Sequence, residues 1–136
     1  MVIYENDSPR CYFAVYADPN LLGHVTIEGG SFGNRAMPKN MDIGDMVLLY
    51  CTSSYAGHSK TVPGIGLVTA VNHVVKGFWY DYVAFEQAIP LEFIRFAMTK
   101  DDQARLANMW HDFLFQISRA SFRTVTQSAK LRGRSP

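Results

Sequence analysis

Two cysteines in 136 residues, with no CxxC and no Cys/His cluster, leave nothing from which to build a disulfide framework or a zinc site. Cys11 and Cys51 each lie inside an apolar run, where a thiol behaves as a small hydrophobe. No apolar run approaches the ~20 residues that span a bilayer, and the opening MVIYENDSPR has neither a basic n-region nor an apolar h-region. The P-loop pattern is absent, and Gly64-Ile65-Gly66 leads into a strand, so it offers no helix N-terminus to a phosphate. His24, His58, His73 and His111 are scattered without metal spacing. Ser53, Ser54 and Ser59 lie near His58, but no nucleophile elbow frames them, and Asp42 and Asp45 are better explained by a turn than by acid/base work. No catalytic residue, metal or cofactor is therefore expected. The chain also lacks repeats and interdomain linkers.

Acid is missing from the end of the chain. All 12 acidic residues lie at or before Asp112, so residues 1–118, with 8 basic side chains, carry −4. Residues 119–136 hold Arg119, Arg123, Lys130, Arg132 and Arg134 without an acid, a balance of +5 that the overall +1 conceals. Such a segment is either a phosphate-contacting edge or a solvated tail. Arg119, Arg123, Lys130 and Arg132 are the candidate phosphate contacts.

What the chain does have is the composition of one globular domain, 48% hydrophobic and 18% charged, expected in the cytoplasm and as a monomer. Residues 1–10 form a lead-in, and about 130–136 a basic tail. The organising stretch is Met41 to Val71. Asp42, Gly44 and Asp45 make a turn, and Met46 to Cys51 is apolar on both faces, as in a central strand. A polar loop from Thr52 to Pro63 follows, then a strand over Gly64 to Val71 whose glycines admit a bend or a close neighbouring backbone. Cys11 to Tyr16 reads as an earlier strand, and Gly29 to Arg35 as irregular. Phe78 to Phe85 is a strand with both faces covered, and Ile89 to Phe96 alternates well enough for an edge strand. Thr99 caps a helix whose apolar stripe is Leu106, Met109, Trp110, Phe113, Leu114 and Ile117. Ser121 to Ala129 fits a final strand or a short helix.

One constellation suggests a site. Tyr16, Phe32, Tyr50, Tyr55, Trp79 and Tyr80 fall at strand ends or in loops beside Asn34, Arg35, Thr52, Ser53 and Ser54. Rings cover the face of a flat heterocycle, and amides and hydroxyls read its edge.

At these residues the sequence resembles the EVE domain family, in the PUA-like group that includes the YTH domains. Tyr12 to Pro19 looks like that family's opening Y-W-x-x-K-S-E-P. Gly33-Asn34-Arg35-Ala36 and Met41 to Val47 look like its R-N-x-x-A-R-N and M-K-x-G-D-x-V segments. Tyr50-Cys51-Thr52 stands where Y-H-S is usual, Pro63 to Gly66 where P-G-I-V-G is usual, and Trp79 to Phe85 where a W-x-x-V-D-V strand follows. The collinear match covers residues 11–95, with Tyr16, Ala17 and Cys51 as departures.

The resemblance implies an α+β fold: a small, mostly antiparallel PUA-like β-barrel of five or six strands flanked by helices. It implies a non-catalytic reader that takes one nucleobase, often modified and flipped from DNA or RNA, into a pocket. Here that pocket is expected between Tyr16 and Ala17, Phe32 to Arg35, Thr52 and Ser53, and Trp79, with Trp79 as stacking wall and Asn34 as edge reader. Two alternatives stay open: a small enzyme acting on a nucleotide-like substrate, and a protein-interaction barrel.

Overall fold

The structure, a computed structural model, describes residues 9–16, 31–32, 38–52, 60–74, 77–109 and 114–129, with backbone alone at 16, 31 and 32. Six strands form one sheet: β1 (Cys11–Tyr16), β2 (Ser31–Phe32), β3 (Met46–Cys51), β4 (Thr61–Asn72), β5 (Gly77–Pro90) and β6 (Leu114–Ile117). Their order is β2-β5-β4-β3-β1-β6, so the two strands of the organising stretch stand at its middle. Among the described residues only β1 and β3 pair in parallel, and the other ladders are antiparallel. Three helices complete the described fold: α1 (Leu91–Ala97), α2 (Lys100–Ala107) and α3 (Arg119–Gln127).

The α+β, mostly antiparallel expectation holds, but the barrel does not close. Among the described residues β6 pairs only with β1 and β2 only with β5, so the ladder never returns on itself. Three local readings also change. Phe32 belongs to a two-residue strand opposite Phe78. Leu91 to Ala97 is helical, because its buried and half-buried positions Leu91, Ile94 and Ala97 repeat every three residues and Pro90 at the N-cap needs no N–H there. The expected long helix stops at Asn108, and Leu114 to Ile117 instead pair with Ala14 to Cys11. Leu114, Phe115 and Ile117 are buried while Gln116 is exposed, a pattern that covers the otherwise open edge of β1.

The turn before β3 is built by one carboxylate. Asp45, fully buried, accepts from the N–H of Arg10 through Oδ1 and of Asp42 through Oδ2, both at 2.9 Å. Gly44 takes the left-handed φ of 92° that the turn demands, and its N–H reaches the Val68 carbonyl at 2.9 Å. Pro63 falls where the β4–β5 register slips between Val62 and Gly64, the place in a strand where a missing N–H costs no ladder bond.

Two apolar clusters lie on opposite faces of the sheet. The helix-covered one joins Cys11, Phe13, Leu48, Tyr50, Ile65, Val83 and Phe85 to Ile94, Leu106, Phe122 and Val125. Phe13 stacks on Tyr50 at 5.7 Å and on Phe115 at 5.3 Å between ring centroids. The opposite face buries Tyr12, Val47, Leu49, Val68, Phe78 and Tyr80. β5 alternates between the two faces as expected. It outruns the helical cover, however, leaving Trp79 and Asp81 exposed.

Candidate nucleic-acid interface

α3 is set by its cap and by its buried stripe. Ser118 accepts from the Ser121 N–H at 3.1 Å, and Ser121, Phe122 and Val125 turn inward. That leaves Arg119 and Arg123, four residues apart, exposed on one side. With Pro9, Cys11, Met46, Phe122 and Thr126 they line a groove of about 200 Å³. Neither guanidinium makes an ion pair among the described residues. Burial pushes the thiol of Cys11, which lines the groove, up to about 11, and that of Cys51, on the opposite face of the sheet, to about 12.

The groove opens onto a row that crosses the sheet. Cys11 stands opposite Met46, Met46 opposite Leu67, and Leu67 opposite Asp81. Trp79 follows two residues along β5, on the same face by alternation, with 41% of its surface exposed. Three strand spacings separate the arginine groove from β5, about 15 Å. Asp81 places a negative charge on this row, so attraction for phosphate is concentrated at the arginine end.

A buried carboxylate fixes where the arginines stand. Asp102 Oδ2 accepts from the Ser118 N–H at 2.9 Å and from the hydroxyls of Ser118, Ser121 and Thr99 at 2.7, 2.6 and 3.1 Å. Thr99 in turn caps α2 by accepting from the Asp102 N–H, so one acid ties the starts of α2 and α3 together. Burial pushes the Asp102 carboxyl up, but the bonds from Ser121, Ser118 and Thr99 outweigh it and hold the group below the usual carboxylate range. The N-terminus of α3 is thus already met by an internal anion, and the arginines are what remain for an external one.

Among the described residues, those expected in the pocket do not come together. Thr52 is buried just past Cys51, which pairs with Thr61 on β4 and with Tyr16 on β1. Trp79 pairs with Ala70 on β4 and with Ser31 on β2, next to the Phe32–Phe78 pair. Thr61 and Ala70 are nine residues apart along β4, up to about 30 Å of extended chain. Tyr16 and Thr52 therefore mark one end of the sheet, and Phe32 and Trp79 the other, because β3 and β5 present different ends of the sheet to their loops. Tyr50 and Tyr80 are core residues. Ala17, Asn34, Arg35, Ser53, Lys130 and Arg132 lie outside the described residues, as do Ser54 and Tyr55.

Sequence reasoning missed a second cavity. Between the Val62–Ile89 and Gly64–Ala84 pairs β5 advances five residues while β4 advances two, so β5 bulges. The bulge's Glu86, Gln87 and Ala88, with Ile89, Pro90, Phe93, Ser128 and Ala129, enclose about 460 Å³. The only trace of the bulge along β5 is the break in its alternation at Glu86-Gln87-Ala88, which reads equally well as the end of a strand.

No protein-family model matches the sequence, and no curated protein matches it. Solved structures do. An ASCH protein from Zymomonas mobilis aligns with a TM-score of 0.59 at 10% identity, over 89% of this chain and 96% of that one. A serine-to-alanine variant of the Zymomonas protein gives 0.58 at 9% identity, over 89% and 97%. Rpa0253 from Rhodopseudomonas palustris, solved by NMR, gives 0.55 at 10%, over 87% and 91%. At these identities the likeness is one of architecture: this chain shares the fold of the Zymomonas ASCH protein.

Proposed function

We propose that this protein is a non-catalytic nucleic-acid-binding module that holds phosphate in the Arg119–Arg123 groove and stacks a base on Trp79 of the same face. The groove is the observation that supports this most. Like charges four residues apart on a helix destabilise it by about 0.2–0.5 kcal/mol, and Arg119 stands in the first turn, where the helix dipole disfavours a cation. A phosphate seated between the two guanidinium groups relieves both effects. The resemblance to EVE domains over residues 11–95 extends the reading to a flipped or modified base with Asn34 as edge reader. In this reading the pocket lies at the Trp79 end of the sheet and leaves out Thr52, while Phe32, opposite Phe78, belongs to the other face. The reading needs no metal or cofactor, and it goes with a cytoplasmic location.

The test is binding of a labelled single strand of about 12 nucleotides, as RNA and as DNA, across a range of salt. Each of Arg119→Ala and Arg123→Ala is expected to weaken binding to all sequences alike and to flatten the dependence of log K on log salt by about 0.7. An unchanged slope in the double variant rejects the groove as a phosphate site. The stronger of the two probes names the natural polymer.

A further inference from the structure

α1 carries two phenylalanines that its own chain leaves uncovered. Phe93 is 40% exposed and Phe96 86% exposed, three residues apart on a seven-residue helix. Single exposed apolar residues are common, but two aromatics side by side on one short helix make a patch that calls for an explanation. On one flank of Phe93 lies the bulge cavity of about 460 Å³, floored by Ile89, Pro90 and Ala129 and edged by the Glu86 carboxylate. On the other flank Phe96 and Arg95, with Gln103 and Ala107, line a groove of about 340 Å³ between α1 and α2. Neither Glu86 nor Arg95 makes an ion pair among the described residues. Knob, hole, acid and base thus sit around α1, on that helix, the strand that leads into it and the residues that follow α3.

We infer that this surface is the contact of a homodimer, in which Phe96 of each copy enters the bulge cavity of the other and Arg95 of each faces Glu86 of the other. The occupant follows from complementarity. A two-fold contact brings residue i against j and j against i, so one rotation fills both cavities and pairs both charges with groups this chain already carries. An unrelated partner has to supply a ring, a cavity and two charges of its own in matching positions. The contact stands apart from the nucleic-acid reading, whose arginines line a different groove, and it replaces the expected monomer.

Sedimentation velocity of the full chain from about 5 to about 500 μM reads the association, over the range in which small interfaces form. The mass is expected to move from monomer to dimer. Phe96→Ala, Arg95→Glu and Glu86→Arg should each raise the dissociation constant by about tenfold or more, while the double charge swap Arg95→Glu with Glu86→Arg should return it to within about threefold of the parent. All these side chains are exposed, and unchanged circular dichroism confirms that each variant folds. A monomer at every concentration overturns the inference, as does a dimer indifferent to Phe96→Ala or a double swap as weak as its singles. A monomer whose Phe96→Ala variant loses oligonucleotide affinity overturns it in favour of a base-stacking role for α1.

Discussion

Asp102 is 3% exposed, and its carboxylate oxygen takes four hydrogen bonds, from buried Ser121, half-buried Ser118 and exposed Thr99. Hydrogen bonds to a charged group contribute about 1.5–3 kcal/mol, so Asp102→Asn is expected to cost about 2–3 kcal/mol at pH 7 in chemical denaturation. The pH dependence has a definite sign. Because the folded carboxyl titrates below its unfolded value of about 3.9, its contribution is complete above that pH and is lost as pH falls from there through the lower folded value. The stability gap between parent and variant should therefore narrow as pH falls below about 4. A gap that does not narrow at all on acidification means that Asp102 does not act as a carboxylate. The sequence showed half of this node: Thr99 followed three residues later by an acid reads as a helix start. The other half, Ser118 and Ser121, lies 16 and 19 residues further on and is brought in only by tertiary packing.

Elements were legible where a strand or helix carries its own pattern, and misread where packing chooses between two periods. The runs Cys11–Tyr16 and Met46–Cys51 are legible to their ends, and Thr99 as a cap. Leu106, Met109, Leu114 and Ile117 fit helical spacing as well as any real stripe does, yet the unpaired edge of β1 draws Leu114 to Ile117 into the sheet. Leu91 to Phe96 fits both alternation and a three-residue repeat, and Pro90 decides for the helix. The glycines of β4 were correctly read as a place of close approach. A Cβ on Gly66 would stand 2.7 Å from the ring of Tyr80, and one on Gly64 would stand 2.9 Å from the Cα of Ala84. Gly66→Ala must push a buried ring against a sheet that has nowhere to move. The expected cost is about 1–3 kcal/mol in urea denaturation with the sheet's order unchanged. A neutral or stabilising result would show that Tyr80 swings aside freely and that β4 and β5 are less tightly joined than their register implies.

At the scale of the molecule, the sequence offers rings and polar groups suited to a flat heterocycle but cannot say which loops share an end of the sheet. That depends on strand order and register, which no local pattern carries. The register puts Trp79 at the end of the sheet that β2 flanks and on the same face as the Arg119–Arg123 groove; it puts Thr52 at the far end. The two ends should then respond differently to substitution. Trp79→Ala is expected to cost about 1–3 kcal/mol of oligonucleotide affinity while hardly moving the melting temperature, because an exposed ring stabilises a ligand more than it stabilises the fold. Thr52→Ala, at a site 2% exposed, should lower the melting temperature and leave the affinity of the folded protein intact. Combining Trp79→Ala with Arg123→Ala extends the argument, since groups about 15 Å apart with no shared partner lose affinity additively, to within about 0.5 kcal/mol. If Thr52→Ala weakens binding as much as Trp79→Ala does, the two ends of the sheet serve one pocket, and the separation read from the register is wrong as an account of where the base sits.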